Sequence, residues 1–85
     1  MKNQKMPEIE KRVYDLLNEN SVHAEVYQFS TLPIICVEIS WGDWKHDHAR
    51  ADWLIADELG GTLLRTNLVE EDGSDCYSAV HYYAF

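Results

Sequence analysis

Apolar residues recur at helical spacing near the start of the chain. One stripe, at positions i, i+4, i+7 and i+8, consists of Ile9, Val13, Leu16 and Leu17. This spacing predicts a helix over residues 7–20 with one buried face.

Two alternating segments follow, and each predicts a strand. Residues 22–29 place Tyr27 and Phe29 on one side, with His23 and Glu25. Residues 34–41 form the second strand, whose core side is predicted to consist of Ile35, Val37, Ile39 and Trp41. The four residues between the strands, 30–33, are predicted to form a turn.

A second helix is predicted from Trp44 or Lys45 to Leu59. Gly42 and Asp43 end the preceding strand, and the Asp43 carboxylate is a suitable N-cap. Gly60 and Gly61 indicate the helix end. Strands are then predicted over residues 62–70 and 76–85, joined by a polar turn at 71–75.

The predicted element order is α-β-β-α-β-β. Because hairpins pair antiparallel, we expect an α+β domain with a four-stranded, mainly antiparallel sheet and two helices on one face, a two-layer sandwich. Residues 7–85 are expected to form this single domain and residues 1–6 a flexible tail. The two helix-and-hairpin halves share a pattern but no residue motif.

The amino-acid composition argues against several classes of function. The 85 residues carry a formal net charge of −8, which argues against direct binding to nucleic-acid phosphates and to anionic membranes. No apolar segment is long enough to span a bilayer, and the first residues show no secretory signal. A cytoplasmic location with reduced Cys36 and Cys76 is therefore expected.

Titratable and aromatic residues concentrate where the second strand meets the second helix. The candidate site residues here are Trp41, Asp43, Trp44, His46, His48 and Asp52. Helical phase places Ala49, Trp53, Ile55, Ala56, Leu59 and the pair His48 and Asp52 toward the sheet, with Leu54 outside.

Three interpretations of this segment stay open. His48 and Asp52 can form a structural i,i+4 hydrogen bond, with Asp43 as the cap. Alternatively, Asp43, His46, His48 and Asp52 supply ligands to a divalent metal, in a metal-binding or metal-dependent hydrolytic protein. A general base oriented by an aspartate is the third interpretation, but no catalytic sequence signature accompanies it.

The sheet face opposite the helices is the other candidate site. It is predicted to expose Tyr27, Phe29 and one set of C-terminal tyrosines that includes Tyr83. Exposed aromatic clusters are typical of partner surfaces. The leading hypothesis is therefore a non-enzymatic interaction module that binds a protein or forms a homodimer through this face, without a cofactor.

Overall fold

A computed structural model describes residues 6–70 and 77–85. The predicted element order and fold class are confirmed. The elements, in chain order, are α1 (Met6–Glu19), β1 (Glu25–Gln28), β2 (Ile34–Ser40), α2 (Trp41–Leu59), β3 (Thr62–Glu70) and β4 (Tyr77–Ala84).

Two element boundaries differ from the predictions in ways that matter for the site. α1 begins at Met6, whose side chain is buried, so Met6 belongs to the core rather than to a tail. α2 begins at Trp41, directly after β2, and its N-cap is Ser40 in an extended conformation. Gly42 and Asp43 therefore lie inside the helix, and the prediction of Asp43 as N-cap is wrong. The predicted turn at 71–75, Cys76 and residues 1–5 lie outside the described residues.

The four strands form one sheet in the order β1-β2-β4-β3, and the three pairings between these strands are antiparallel. β2 and β4 lie at the centre, with Val37 opposite His81. Each outer strand pairs with its own hairpin partner. This order is unchanged when the two halves of the chain are exchanged, as expected for two structurally similar helix-and-hairpin units.

Both helices contribute to one core on one face of the sheet. The central side chains Ile35, Val37 and Ile39 are fully buried there, as predicted. The remaining members of this buried cluster are Met6, Val13, Leu17, Val22, Ala51, Leu54, Ile55 and Tyr83.

The phase of α2 differs from the prediction. Ala51, Leu54 and Ile55 are its buried residues, whereas Trp53 is 60% exposed and Ala49 and Ala56 are exposed as well. The small side chain of Ala51 lets the helix approach the sheet closely, and this contact, rather than the bulk of the Trp53 indole, sets the inward face. Neither α2 nor α1, the helices of the described residues, has the length and hydropathy needed to cross a membrane.

α2 ends at Gly60, which adopts a left-handed conformation with φ 72°. Gly61 follows at a site with no room for a side chain, since a Cβ there would lie 2.7 Å from both Ile55 Cγ2 and Phe85 Cζ. Gly60 therefore supplies the turn, and Gly61 lets the chain pass closely over the core into β3.

Candidate functional site

The start of α2 carries a stack of three aromatic rings. Trp41 and Trp44 lie one turn apart, with ring centroids 5.0 Å apart and planes 14° from parallel. Trp44 also stacks on His48 at 3.9 Å. Trp41 is 38% exposed, so the prediction that it continues the core side of β2 is wrong. Trp41 is the first residue of α2 and not the last residue of β2.

The Trp44 indole connects α2 to the central strand β4. Its Nε1–H donates to Nε2 of His81 at 2.9 Å. Because Nε2 accepts this bond, the neutral His81 ring carries its proton on Nδ1, which lies 3.4 Å from Thr66 Oγ1 on β3. A hydrogen-bonded chain thus runs from the helix through β4 to β3.

His81 is buried and neutral in this arrangement. Burial lowers the pKa of His81 below its ordinary value of 6.5, opposed by the Asp52 carboxylate and reinforced by His48. Protonation of Nε2 would also place a second N–H group against the Trp44 Nε1–H donor. The ring is therefore held in one protonation state by packing and by hydrogen-bond geometry.

His48 and Asp52 have partners other than those predicted. His48 Nδ1 lies 2.7 Å from the Trp44 carbonyl oxygen, so it donates to the backbone one turn earlier and not to Asp52. Asp52 lies at the flank of α2 and acts electrostatically on His81 and Tyr83. A structural role for His48 fits, but a direct His48–Asp52 hydrogen bond does not.

Tyr83 is part of the core and not of the open face. It lies on the helix-covered side of β4 and is fully buried. Its hydroxyl has no hydrogen-bond partner of standard geometry among residues 6–70 and 77–85. Burial, together with the Asp52 carboxylate, raises the pKa of Tyr83 above its usual range. Tyr83 therefore does not belong to the predicted interaction surface. It pairs with Ile35 across β2 and β4, and both side chains face the helices.

The four candidate metal ligands do not come together. Asp43 accepts a hydrogen bond from Ser40 Oγ at 3.0 Å, His46 is exposed, and His48 is bound to the backbone. Within the described ranges, no group of three or more histidine, cysteine, aspartate or glutamate side chains is placed to hold a metal ion.

The open face of the sheet differs between its two ends. At one end, Phe29 and Tyr82 form an edge-to-face pair with centroids 5.5 Å apart and planes at 83°. A shallow groove of about 210 Å³ is lined there by Phe29, Ile34, Leu64, Arg65, Asn67 and Tyr82. We call this region the apolar end. None of the described residues that line this groove carries a carboxylate.

The other end of the open face is acidic. A groove of about 330 Å³ is lined by His23, Ala24, Glu25, Glu38, Ser40, Asp43 and Ser78. Glu25 and Glu38 stand opposite each other in the β1–β2 register, and the Glu38 carboxylate accepts a hydrogen bond from the Tyr27 hydroxyl at 3.2 Å. Tyr27 thus lies on the open face, as predicted, close to the acidic end.

Cys36 occupies the middle of the open face and is a free thiol. It stands opposite Tyr27 on one side and Tyr82 on the other, and it is buried. Burial, and secondly Glu38, raises the pKa of the Cys36 thiol, so this cysteine is held in its neutral, unreactive form.

Two groups of residues could not be recognised from the sequence. His81 meets Trp44 and Thr66 through strand pairing, which no local pattern reveals. The sequence predicts a strand over residues 62–70 but does not indicate that Leu63, Leu64 and Leu68 are exposed. Their exposure depends on the strand order, which places β3 at the sheet edge.

Comparisons of the chain with protein-family models, with curated proteins and with solved structures find no match.

Proposed function

We propose that this protein is a non-enzymatic interaction module that associates with a second copy of itself through the uncovered part of its sheet. The observation that carries the proposal is the concentration of exposed apolar side chains along β3. They are Leu63, Leu64, Leu68 and Val69, each between 39% and 57% exposed. Exposed apolar clusters of this type favour a protein partner over water.

The charge distribution leaves β3 as a surface through which a second copy can approach. At a net charge of −8, two chains repel each other over most approaches. Thr62 to Val69 contain no carboxylate and one cation, Arg65. Glu25, Glu38 and Asp43 lie at the other end of the open face. Two copies that meet through β3 or the apolar end keep these carboxylates apart.

Sedimentation velocity over a wide concentration range tests the proposal, with Leu64→Lys as the interface variant. Leu64 is 52% exposed, and Tyr14 on α1 is 50% exposed, so Tyr14→Lys is the matched control. We expect a dimer for the unmodified chain and for Tyr14→Lys, and a shift toward monomer for Leu64→Lys. The mass of one chain at every concentration would refute self-association.

A further inference from the structure

Among the residues that the structure describes, no strand pairs with the outer edge of β3. β3 spans nine residues and is the outermost strand beside β4. Eight of its nine residues are exposed, and Asn67 is half-buried. An outer strand of this length presents unpaired backbone N–H and C=O groups that are a template for another strand.

The devices that normally protect an edge are weak here. β3 contains no proline and no lysine, and its charged residues are Arg65 and Glu70. A bulge interrupts its pairing with β4 between Leu63 and Arg65. The remaining segment, Arg65 to Glu70, pairs in regular register and is therefore straight enough to accept a further strand.

The helix side of β3 is only partly covered. Leu68 stands opposite Ala79, whose side faces the helices, and yet Leu68 is 57% exposed. α2 contacts β3 but packs mainly over the central strands β2 and β4, where Ile39, Val37 and Ala79 are buried. A strand that pairs with residues 65–70 would place its own side chains beside Leu68 and remove it from water.

We propose that β3 pairs antiparallel with β3 of a second copy, so that two four-stranded sheets join edge to edge into one of eight strands. The inference rests on the self-association proposed above and specifies its geometry. A two-fold axis satisfies both edges at once, because the same strand serves on each side. Pairing also brings together the segments from Thr62 to Val69, which lack carboxylates in this acidic chain.

A cysteine scan tests the geometry directly. Single cysteines are introduced at Arg65, Thr66, Asn67, Leu68 and Val69 in a Cys36→Ala, Cys76→Ser background whose fold is checked by circular dichroism. In an antiparallel pair related by a two-fold axis, only the residue at the axis stands opposite its own copy. We expect one position to form a covalent dimer fastest under mild oxidation, and a cysteine at Tyr27 on the opposite edge to form none.

Two further variants separate this geometry from a dimer that packs through the open face. Leu68 lies on the helix side of β3 and Phe29 at the apolar end of the open face. Leu68→Lys is expected to raise the dimer dissociation constant at least about a hundredfold, since one leucine per copy loses its burial, and Phe29→Lys is expected to leave it unchanged.

The outcomes keep the two proposals distinct. A dimer that is insensitive to Leu68→Lys, is lost in Phe29→Lys and shows no crosslink along β3 would overturn edge pairing while leaving self-association intact. A chain that stays monomeric at all concentrations would refute both.

Discussion

The two outer strands of the sheet differ in almost every respect. β1 has four residues, begins with Glu25, and places Val26 against the core. α1 packs beside it. β3 has nine residues, eight of them exposed, and no carboxylate before Glu70. β1 therefore has the features of a protected edge, whereas β3 has those of an unprotected one.

The difference in exposure between β1 and β3 arises from the number of helices that cover the sheet and not from the strands themselves. Two helices about 10 Å wide cover roughly two strands each only when they spread evenly. Here α1 packs on β1, and α2 packs mainly on β2 and β4. β3, the first strand of the second half of the chain, is therefore only partly covered. In a single copy, β3 consequently exposes apolar side chains to water.

The largest expected effect separates a central strand from the open edge. Ile39→Ala on β2 removes a fully buried side chain and should lower the free energy of unfolding by about 2–5 kcal/mol. Leu68→Ala on β3 removes one that is mostly exposed and should change it by no more than about 0.5 kcal/mol in the monomer.

Urea denaturation of both variants, at a concentration where self-association is absent, measures this contrast. Repeating the measurement at high concentration sharpens it, because only Leu68→Ala should then lose the stabilisation that association provides. Equal losses for the two variants in the monomer would show that β3 belongs to the core after all.

Much of the fold could be predicted because it depends on local patterns. The stripe in α1, the alternation in β2 and the glycines after α2 each fix an element through its own residues. The candidate site could not be predicted equally well. The environments of Trp44, His81 and Tyr83 depend on which strands are neighbours and on the phase of α2, and both are set by tertiary packing.

The start of α2 shows how a small boundary error changes a site. A predicted start at Trp44 or Lys45, three or four residues late, makes Trp41 a strand residue and Asp43 a cap. The predicted inward face included Trp53, whereas Ala51, Leu54 and Ile55 are the buried residues. The metal hypothesis requires His46 and His48 to converge, but α2 includes both, and two residues apart on a helix they point to different sides.

A smaller effect is expected from the chain of bonds that joins β3 to the core. The pKa of His81 is lower in the folded protein than its unfolded value of 6.5, so the folded state binds fewer protons. This contribution to stability is fully present above pH 6.5 and is lost as the pH falls through the folded-state pKa. Asp52 and His48 are the titratable groups that act electrostatically on the His81 ring.

His81→Gln tests this expectation, since a glutamine oxygen can still accept from Trp44 Nε1. The stability difference between the unmodified protein and His81→Gln should shrink between pH 8 and pH 5, because glutamine does not take up a proton in this range and His81 of the unfolded chain does. His46→Ala, at an exposed position, is the control. A difference that does not vary with pH would show that His81 has the same pKa in the folded and unfolded states.

The smallest effect is expected at the protected edge. The Tyr27 hydroxyl bonds to Glu38 across β1 and β2, and burial, followed by Glu38, raises the pKa of Tyr27 from 10 to about 12. Glu38→Gln should move this pKa part of the way back toward 10, since burial remains, as measured by ultraviolet absorbance titration against a Tyr27→Phe reference. Because the folded pKa is the higher one, the stabilising contribution is present below pH 10 and is lost as the pH rises through about 12.

Tyr27→Phe should change the free energy of unfolding by no more than about 0.5 kcal/mol, because the bond is exposed to water, and it should leave the dimer intact. Loss of the dimer in this conservative variant would show that β1, and not β3, is the edge that the second copy uses.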